Sequence, residues 1–554
     1  MTLKQLIKSI DKKEWQFVIF LIFIIFVLVN LPYLYGYLNA PEDHFYNWGH
    51  SISSGDFYVY FSYIQQIKDG NWLLTNNFTS ELPQTGTLNL FWLPVGLFAR
   101  LFNLSPVFAY HFFRLIFIPA FFLVAYLFLS YFFKDKLKRK TSLIFLSCAS
   151  GIGAYLSEIY NKLYPVVADD ILTIYKWPID LWVSETNTFL TLAQSPHFIL
   201  TWIMLMGFFL FMLLALSNNK YFYSLIAGLI GLYWFNWHPY YFPSVFAILA
   251  LYVFFLIIKN YKWHYVWHFL LSLFLSSPFI IYHYYLIKTD LLIGARAEQN
   301  LCLTPPLEFV IVGFGFLLVF ALIGLIYIVK TKKIIKNEKL LFIAVWFIVG
   351  FKLIYAPVAW QRRLLMGLQI PIVILAVIAF FCIFNYAKKK ISWFNKFVDY
   401  FKYLIIILLI SVFSFSTIFN ITRDLYLYYQ QNYIFYPHND YKQATNWLKL
   451  NNKDNSVILS SRYNGHAITG LINQRVYLGH GHETVFYEEK KQKVDEFFKD
   501  QLTDERVIKL LQENNIKYIF YSFYEHAIGD FDPEQKDFLQ KVYDGPRIAI
   551  YQLK

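Results

Sequence analysis

The sequence has little charge for its length. Only 15% of its 554 residues are charged, whereas 57% are hydrophobic and 21% are aromatic. An ordinary globular chain has about 25% charged residues, so one large water-soluble domain is excluded. The apolar residues form runs of about 20, which is the length that an α-helix needs to cross a hydrocarbon core of about 30 Å. The sequence therefore predicts a polytopic α-helical membrane protein.

Cysteine is also scarce. The three cysteines, Cys148, Cys302 and Cys382, are far apart, which excludes a disulfide framework and a cysteine zinc motif. The net charge of +13 lies in short Lys/Arg clusters between apolar runs. From residue 421 to 554 there are 17 Lys/Arg and 18 Asp/Glu, a balance of −1. This distribution follows the positive-inside rule and excludes a nucleic-acid partner.

Alternation of basic and non-basic loops predicts about eleven transmembrane helices. The predicted inner loops hold 21 Lys/Arg and the longer outer loops hold eight, which places the N-terminus in the cytoplasm and the protein in the plasma (inner) membrane. The run Leu88–Leu104 contains Pro94 and Arg100, so we expect a short surface or re-entrant helix there. The predicted spans are about 16–37, 107–133, 141–160, 196–216, 221–236, 241–258, 265–286, 307–329, 340–356, 364–385 and 401–419.

Two domains are predicted. Residues 1–421 form the transmembrane domain, with long outer loops at 38–106 and 161–195, and residues 422–554 form an extracytoplasmic domain. Long ordered loops are often functional. The tail alternates strand-like and helix-like patterns, which indicates a small α/β domain. Its expected strands are 456–460, 476–478, 518–521 and 548–552, with helices near 440–450, 485–499 and 503–513.

The first outer loop contains a candidate catalytic acid. Asp56 stands where a helix would begin, and Tyr60 and Tyr63 follow one turn and nearly two turns later. A carboxylate near the membrane surface can take a proton from a hydroxyl nucleophile, with Tyr60 as a substrate-binding residue. The alternative is that Asp56 serves only as a helix N-cap.

The second outer loop gathers more polar residues at the start of the fourth predicted span. Asp180, Glu185, Asn187 and His197 lie there among apolar and aromatic residues. Glu185 is a candidate second catalytic acid, or a ligand, together with Asp56, of a divalent cation such as Mg²⁺ or Mn²⁺. Asn187 and His197 are candidate substrate-binding residues. The alternative is a polar cap on the helix.

Other candidates lie in the remaining outer loops. Arg362 and Arg363 violate the positive-inside rule, and the planar guanidinium suits a phosphate group; Arg296 is a weaker candidate of the same kind. The alternative is that these arginines reach toward lipid headgroups. His238, beside Pro239, is a candidate substrate-binding residue or a turn residue.

The tail segment around His480 and His482 follows a predicted strand and also contains Glu483. Gly479 and Gly481 favour a tight turn that a substrate could approach. Three readings stay open for His480 and His482: a structural loop, a contact to donor or acceptor, and a metal site.

The chain resembles the GT-C superfamily in three features. These are Asp56 in the outer loop just after the first helix, a tyrosine-bearing helix behind it, and His111 and Arg114 at the approach to the second helix. This resemblance implies about eleven to thirteen helices, a long first outer loop and an external C-terminal domain. It also implies a membrane glycosyltransferase that uses a polyprenyl-phosphate-linked sugar, distantly similar to protein O-mannosyltransferases and oligosaccharyltransferase catalytic subunits. The chain lacks an Asp-Glu pair at Asp56 and a Trp-Trp-Asp motif in its tail.

The sequence thus predicts an enzyme of the cell envelope, a hexosyltransferase-like glycosyltransferase. We expect it to transfer a sugar to a hydroxyl of a lipid, glycan or protein, with Asp56 as general base and inversion at the sugar carbon. Membrane lipids are the remaining expected partners. The alternatives are a multi-pass transporter or lipid flippase, disfavoured by the lack of repeats or visibly broken helices, and a non-catalytic glycan assembly factor.

Overall fold

The computed structural model describes residues 1–52, 55–82, 84–166, 174–390 and 392–554. The chain divides into two compact units. The first unit contains residues 1–32, 114–282 and 301–426, and the second contains residues 33–113, 283–300 and 427–554.

Helices dominate the chain. Up to residue 300 they are α1 (Leu3–Lys8), α2 (Lys12–Leu38), α3 (Asp56–Lys68), α4 (Trp92–Leu101), α5 (Pro106–Phe132), α6 (Lys136–Cys148), α7 (Gly153–Leu163), α8 (Thr188–Gln194), α9 (Pro196–Asn218), α10 (Tyr221–Trp237), α11 (Tyr241–Asn260), α12 (His264–Ser276), α13 (Pro278–Thr289) and α14 (Leu291–Gln299). Beyond it they are α15 (Leu307–Lys330), α16 (Lys333–Lys336), α17 (Glu338–Leu353), α18 (Gln369–Lys390), α19 (Ser392–Phe413), α20 (Phe415–Tyr429), α21 (Asp440–Asn451), α22 (Arg462–Ile472), α23 (Tyr487–Phe498), α24 (Asp504–Glu513) and α25 (Phe523–His526). Helix α4 confirms the expected short helix within Leu88–Leu104.

The helices differ in whether they are long enough to span a membrane. Among the described residues, seven helices are long and apolar enough to cross a membrane, with α6 and α7 taken together, or up to nine if two bent pairs each form one span. The remaining two predicted spans correspond to α10 and α17, which have 17 and 16 residues. At 1.5 Å per residue they are about 25 Å long, shorter than a typical hydrocarbon core. The chain is therefore a multi-pass membrane protein, and the count of eleven spans is not confirmed.

Helix interruptions are more frequent than expected. The pair α12/α13 bends by 46° at Ser277, where Pro278 follows, and the end of α19 meets α20 at 48°. Proline removes a backbone donor and ends the helix before it. The expectation that the spans contain no pair of broken helices is wrong.

Glycines explain another break, between α6 and α7. A Cβ atom on Gly151 would lie 2.3 Å from the carbonyl oxygen of Gly313, and one on Gly153 would lie 2.3 Å from Asp180 Oδ1. A residue with a side chain would clash at these two positions, so only glycine allows such close packing. The chain leaves the helical path at these glycines. The continuous helix predicted over 141–160 is consequently two helices.

Burial in the first unit fits a helix bundle in lipid. Helix α18 is the most enclosed span, and its residues from Ile372 to Val377 have no exposed surface. By contrast, Phe20, Phe23 and Phe274 on other helices are more than 60% exposed. Large exposed apolar side chains on a spanning helix are stable when they face hydrocarbon.

The second unit contains a four-stranded sheet of β1 (Val457–Leu459), β2 (Ile516–Tyr521), β3 (Leu539–Asp544) and β4 (Ala549–Leu553). The strand order is β1-β2-β4-β3; β1 and β2 are parallel, and the other pairs are antiparallel. Phe497, Phe498, Leu511 and Ile519 belong to its buried core. The small α/β domain is confirmed, whereas β3 and α22 were not predicted and Val476 forms only a single bridge to Ile458.

The first outer loop packs within the same unit as the tail. The Val476 amide donates to the carbonyl of Asn77, and the Asn47 amide donates to that of Phe435. Gly470 of α22 lies directly against Tyr58 of α3, because a Cβ there would be 2.5 Å from the tyrosine ring. The compact unit thus includes part of the loop region, and the predicted domain boundary at residue 422 stays a prediction.

Candidate active site

Helix α3 carries Asp56 in its first turn. Gly55 occupies the N-cap position and Asp56 is the first helical residue, where the helix dipole favours a negative charge. From Asp56 to Ile67, only Asp56, Tyr60 and Tyr63 are not fully buried. Residues separated by four and then three positions share one helix face. These three residues, here named the α3 stripe, form the accessible face of the helix.

Asp56 is hydrogen-bonded to a histidine from the tail. His480 Nε2 lies 2.9 Å from Asp56 Oδ1, and the Asp56 side chain remains 35% exposed. His480 Nδ1 accepts the backbone N–H of His482 at 3.3 Å, so Nδ1 carries no hydrogen. A neutral imidazole then has its hydrogen on Nε2. His480 is therefore a donor to the Asp56 carboxylate.

A second histidine, half-buried, lies beside this pair. The rings of His466 and His480 are 5.2 Å apart. Burial lowers the pKa of His466 well below its usual value, and the neighbouring His480 and Arg462 act in the same direction. His466 is consequently neutral near pH 7. Sequence reasoning missed it, although Gly465 was a usable signal: a Cβ there would be 1.9 Å from the carbonyl oxygen of Leu478.

Tyr60 lies in an aromatic stack. Its ring is 5.1 Å from Trp92 and 6.1 Å from Tyr110, and both contacts are nearly parallel. Such stacks contribute about 0.5–1.5 kcal/mol beyond area burial. The stack fixes the orientation of Tyr60 on the α3 stripe.

Arg296, from α14, pairs with the tail. Its Nη1 is 2.8 Å from Glu483 Oε2, and its guanidinium also hydrogen-bonds with Tyr63. The carboxylate of Glu483 raises the pKa of Arg296, which stays charged. His482 lies nearby, its ring 5.9 Å from that of His480. The second unit thus brings together Asp56, His480 and His482, and it joins Tyr63 to Arg296.

The first unit contains the remaining candidates. Glu185 is 4% exposed, and its Oε1 is 3.9 Å from Arg363 Nη1. The Arg363 guanidinium also lies over the Tyr240 ring, 5.3 Å from its centroid. A distance of 3.9 Å is too long for a direct hydrogen bond. Glu185 therefore supplies charge compensation to Arg363 without binding it tightly.

Arg362 has an aromatic environment. Its guanidinium lies 5.0 Å from the Trp182 ring centroid and 5.9 Å from that of Tyr175, distances at which cation–π attraction acts. The Arg362 backbone N–H donates to the carbonyl of Cys302. The side chain is held by ring faces, and this contact leaves its planar set of donors suited to an anion.

Asn187, His197 and His238 are buried. Asn187 caps α8 through its side-chain oxygen, which accepts the Leu190 N–H. His197 Nδ1 is 2.5 Å from Ser195 Oγ, and His238 Nδ1 is 2.6 Å from Thr201 Oγ1. Burial lowers the pKa of His238 well below its usual value. The two histidine rings are 5.1 Å apart, so the structure brings His197 and His238 together.

Asp180 is fully buried in a short turn before α8. Its Oδ2 accepts the Gly153 N–H at 3.1 Å. Burial raises the pKa of Asp180 to about 7, against smaller opposing effects of its hydrogen bonds. The carboxyl is therefore half protonated near neutral pH.

The donor set does not support a metal centre. Across the described residues, no group of three or more His, Cys, Asp or Glu side chains is arranged to hold a metal ion. A stable divalent site needs several such ligands. The Mg²⁺ or Mn²⁺ ion expected at Asp56 and Glu185 stays a prediction, and we derive no catalytic step through it.

The chain has no counterpart among protein-family models, and the search of curated proteins gives no significant match. Solved structures do resemble it. The Archaeoglobus fulgidus oligosaccharyltransferase in its apo form superposes with a TM-score of 0.54 and 12% identity, over 96% of this chain and 74% of that one.

Two further neighbours are informative. The archaeal oligosaccharyltransferase AglB from Archaeoglobus fulgidus, in complex with an inhibitory peptide and a dolichol-phosphate, gives a TM-score of 0.50 at 12% identity and covers 90% of this chain and 69% of that one. The mycobacterial arabinofuranosyltransferase AftD gives 0.51 at 9% identity, over 95% of this chain and 41% of that one. These neighbours are GT-C glycosyltransferases. The resemblance to GT-C proteins expected from the sequence is thereby confirmed at the level of the fold.

Proposed function

We propose that the protein is a membrane glycosyltransferase. It transfers a sugar from a polyprenyl-phosphate-linked donor to a hydroxyl of a lipid, glycan or protein on the extracytoplasmic face of the plasma membrane. The GT-C fold supports the general class, and a neighbour bound to dolichol-phosphate supports a lipid-linked donor. The outer loops at 38–106 and 161–195 and an extracytoplasmic domain at 422–554 would contribute the reacting groups.

Asp56 is the proposed general base. The acceptor oxygen attacks the anomeric carbon of the donor and gives its proton to the Asp56 carboxylate, while the bond from that carbon to the phosphate oxygen breaks. Polyprenyl phosphate leaves with the bonding electrons. One base and one displacement give inversion at the sugar carbon. The observation that carries this proposal is a partly exposed carboxylate at a helix N-terminus, 2.9 Å from a histidine donor.

His480 is proposed as a positioning residue. Its Nε2–H donates to Asp56 Oδ1, which fixes the carboxylate orientation and favours the ionised form that accepts a proton. His466, neutral and half-buried beside it, restrains the ring. In this proposal the tail positions the base through His480. This role is in addition to the substrate contact predicted for His480 and His482.

Arg362 and Arg363 are proposed to bind the donor phosphate and its leaving group. Planar guanidinium groups bind phosphate through two parallel hydrogen bonds, and stabilising developing charge is often the largest catalytic contribution. We propose that Glu185, predicted as a second catalytic acid, acts by positioning Arg363. Asn187, His197 and His238, all in the first unit, remain proposed substrate-binding residues.

The decisive test is Asp56→Asn. Purified protein in nanodiscs receives a radiolabelled polyprenyl-phosphate sugar and a membrane extract as acceptor source, and released polyprenyl phosphate is measured. The transfer rate of the variant should fall about 10²–10⁴-fold, the usual contribution of a general base. Asp69→Asn at the other end of α3 is the matched control, because Asp69 is exposed and bonded to Gln65. Full activity of Asp56→Asn contradicts the mechanism.

The bent helix pairs favour a second candidate, a transporter or lipid flippase, because broken helices often form substrate sites in transporters. A non-catalytic glycan assembly factor is the third. In the same assay neither alternative releases polyprenyl phosphate. In sealed vesicles a transporter moves the labelled lipid across the bilayer unchanged, and an assembly factor neither moves nor cleaves it.

A further inference from the structure

A polar cleft lies in the second unit near the end of the α3 stripe. Its lining includes Tyr63, Asn76, Gln84, Thr85, Asp290 and Arg296. Hydroxyl and amide groups dominate this lining, and a few aliphatic side chains complete it. Lining of this kind orients a ligand through several neutral hydrogen bonds.

Both charged groups of the cleft are already compensated. Glu483 pairs with Arg296 at 2.8 Å. Asp290 caps α14 by accepting the backbone N–H groups of Leu292 and Ile293, and it accepts that of Thr85 as well. Phosphate and carboxylate ligands bind most strongly to a cation that is not already paired with an anion. The cleft therefore suits a neutral ligand rich in hydroxyl groups.

The cleft and the proposed base lie on the same face of α3. Tyr63 lies seven residues after Asp56 on the same helix face, about 10 Å along the axis. The tail segment from His480 to Glu483 contacts both ends of this path, since His480 bonds to Asp56 and Glu483 bonds to Arg296. A short oligosaccharide whose terminal hydroxyl reaches Asp56 would place its following units in the cleft.

We propose that this cleft is an acceptor subsite for a neutral oligosaccharide. The proposal rests on the proposed function and names its acceptor class. The Tyr63 hydroxyl, the Thr85 hydroxyl and the N–H groups of Arg296 bind sugar hydroxyls; Arg296 has five such donors, more than Glu483 and Tyr63 require. Leu292 and Ile293, which also line the cleft, pack against the C–H face of a ring.

Binding is measured by calorimetry on the full chain in nanodiscs free of glycoside detergent. The probes are the methyl glycosides of manno-, gluco-, galacto- and arabinofuranotriose, and inorganic phosphate as the anionic probe. The variants are Tyr63→Phe and Thr85→Val, each removing one hydroxyl. Tyr543→Phe and Thr503→Val are matched controls: Tyr543 is half-buried, Thr503 is exposed, and both lie in the tail outside the cleft.

We expect at least one trisaccharide to bind and each cleft variant to weaken its affinity about fivefold, the effect of losing one hydrogen bond of about 1 kcal/mol. The controls should bind as the wild type does. The proposal is overturned if no trisaccharide binds, or if Tyr63→Phe and Thr85→Val leave binding unchanged. It is also overturned if phosphate binds and either cleft variant abolishes that binding, an outcome that would return Arg296 to its predicted role at the donor phosphate.

Asp56→Asn separates this inference from the proposed function. That variant should still bind the trisaccharide, because the cleft does not contain Asp56. Trisaccharide binding combined with full transfer by Asp56→Asn refutes the base and leaves the subsite standing. Loss of transfer in Asp56→Asn without any trisaccharide binding refutes the subsite and leaves the base standing.

Discussion

The two units hold their carboxylates in opposite environments. In the second unit, Asp56 is 35% exposed and 2.9 Å from a histidine donor. In the first, Glu185 is 4% exposed and 3.9 Å from an arginine, and Asp180 has no exposed surface. A partly exposed carboxylate can meet a substrate hydroxyl and exchange its proton, whereas a buried one mainly organises the groups around it.

This contrast separates residues that the sequence presents as equals. Asp56, Asp180 and Glu185 are all acids in outer loops beside apolar residues, and any of them could be a base. From their burial and partners we propose different roles: Asp56 for proton transfer, Glu185 for charge compensation of Arg363, and Asp180 for a turn against Gly153. Changing each group in turn tests the assignment.

After Asp56 itself, the largest effect should come from its partner, His480. His480→Ala removes the Nε2–H donor, and we expect kcat to fall about 30-fold, within the range of a lost charge-assisted hydrogen bond of about 2 kcal/mol. Without that donor Asp56 takes up a proton more readily, so the acidic limb of the pH–rate profile should move to higher pH. His480→Gln keeps an N–H and should restore part of the rate.

A purely structural His480 would behave differently. The rate of His480→Ala would then follow the loss of folded protein, the pH profile would keep its position, and His480→Gln would give no rescue. Thermal unfolding of each variant, recorded beside its kinetics, distinguishes these results.

Much of the fold could be predicted from the sequence, for physical reasons. Apolar runs and basic loops mark helices that face lipid, and the alternating pattern of the tail marked three of its four strands. The break at Ser277 was missed although Pro278 marks it in the sequence, whereas the break between α6 and α7 depends on a tertiary contact, the approach of Gly151 to Gly313. Hydropathy does not report such contacts.

The candidate site was predictable in its parts and not in its pairings. Asp56 and His480 were both identified, but they are 424 residues apart, and no local pattern links them. Arg296 was predicted as a phosphate ligand from its charge alone, whereas in the structure Glu483 compensates that charge. His466 has no sequence motif, and only the glycine before it hints at a close contact.

A smaller effect is expected at Glu185. Glu185→Gln removes the negative charge beside Arg363 and leaves a partly buried guanidinium without that partner, so the free energy of unfolding should fall by about 1–2 kcal/mol. Differential scanning fluorimetry in nanodiscs measures this. Glu158→Gln is the matched control, because Glu158 forms an exposed pair with Lys162 and should change stability by less than about 0.5 kcal/mol. Equal effects in the two variants would contradict the charge-compensating role of Glu185.

The most specific effect is confined to the pH dependence of stability and concerns Asp180. Burial raises its pKa to about 7, above that of an unfolded Asp near 3.8. The protonated form is favoured in the folded state, so its contribution to stability is complete below pH 4 and is lost as the pH rises through 7. Between pH 5 and 7 the free energy of unfolding should therefore decline by about 1 kcal/mol per pH unit. Asp180→Asn, neutral at every pH, should remove this decline, while Asp56→Asn should leave it intact because Asp56 is exposed to water. An unchanged pH dependence in Asp180→Asn would show that this carboxyl is ionised in the folded protein, and the contrast between the two units would then rest on Glu185 alone.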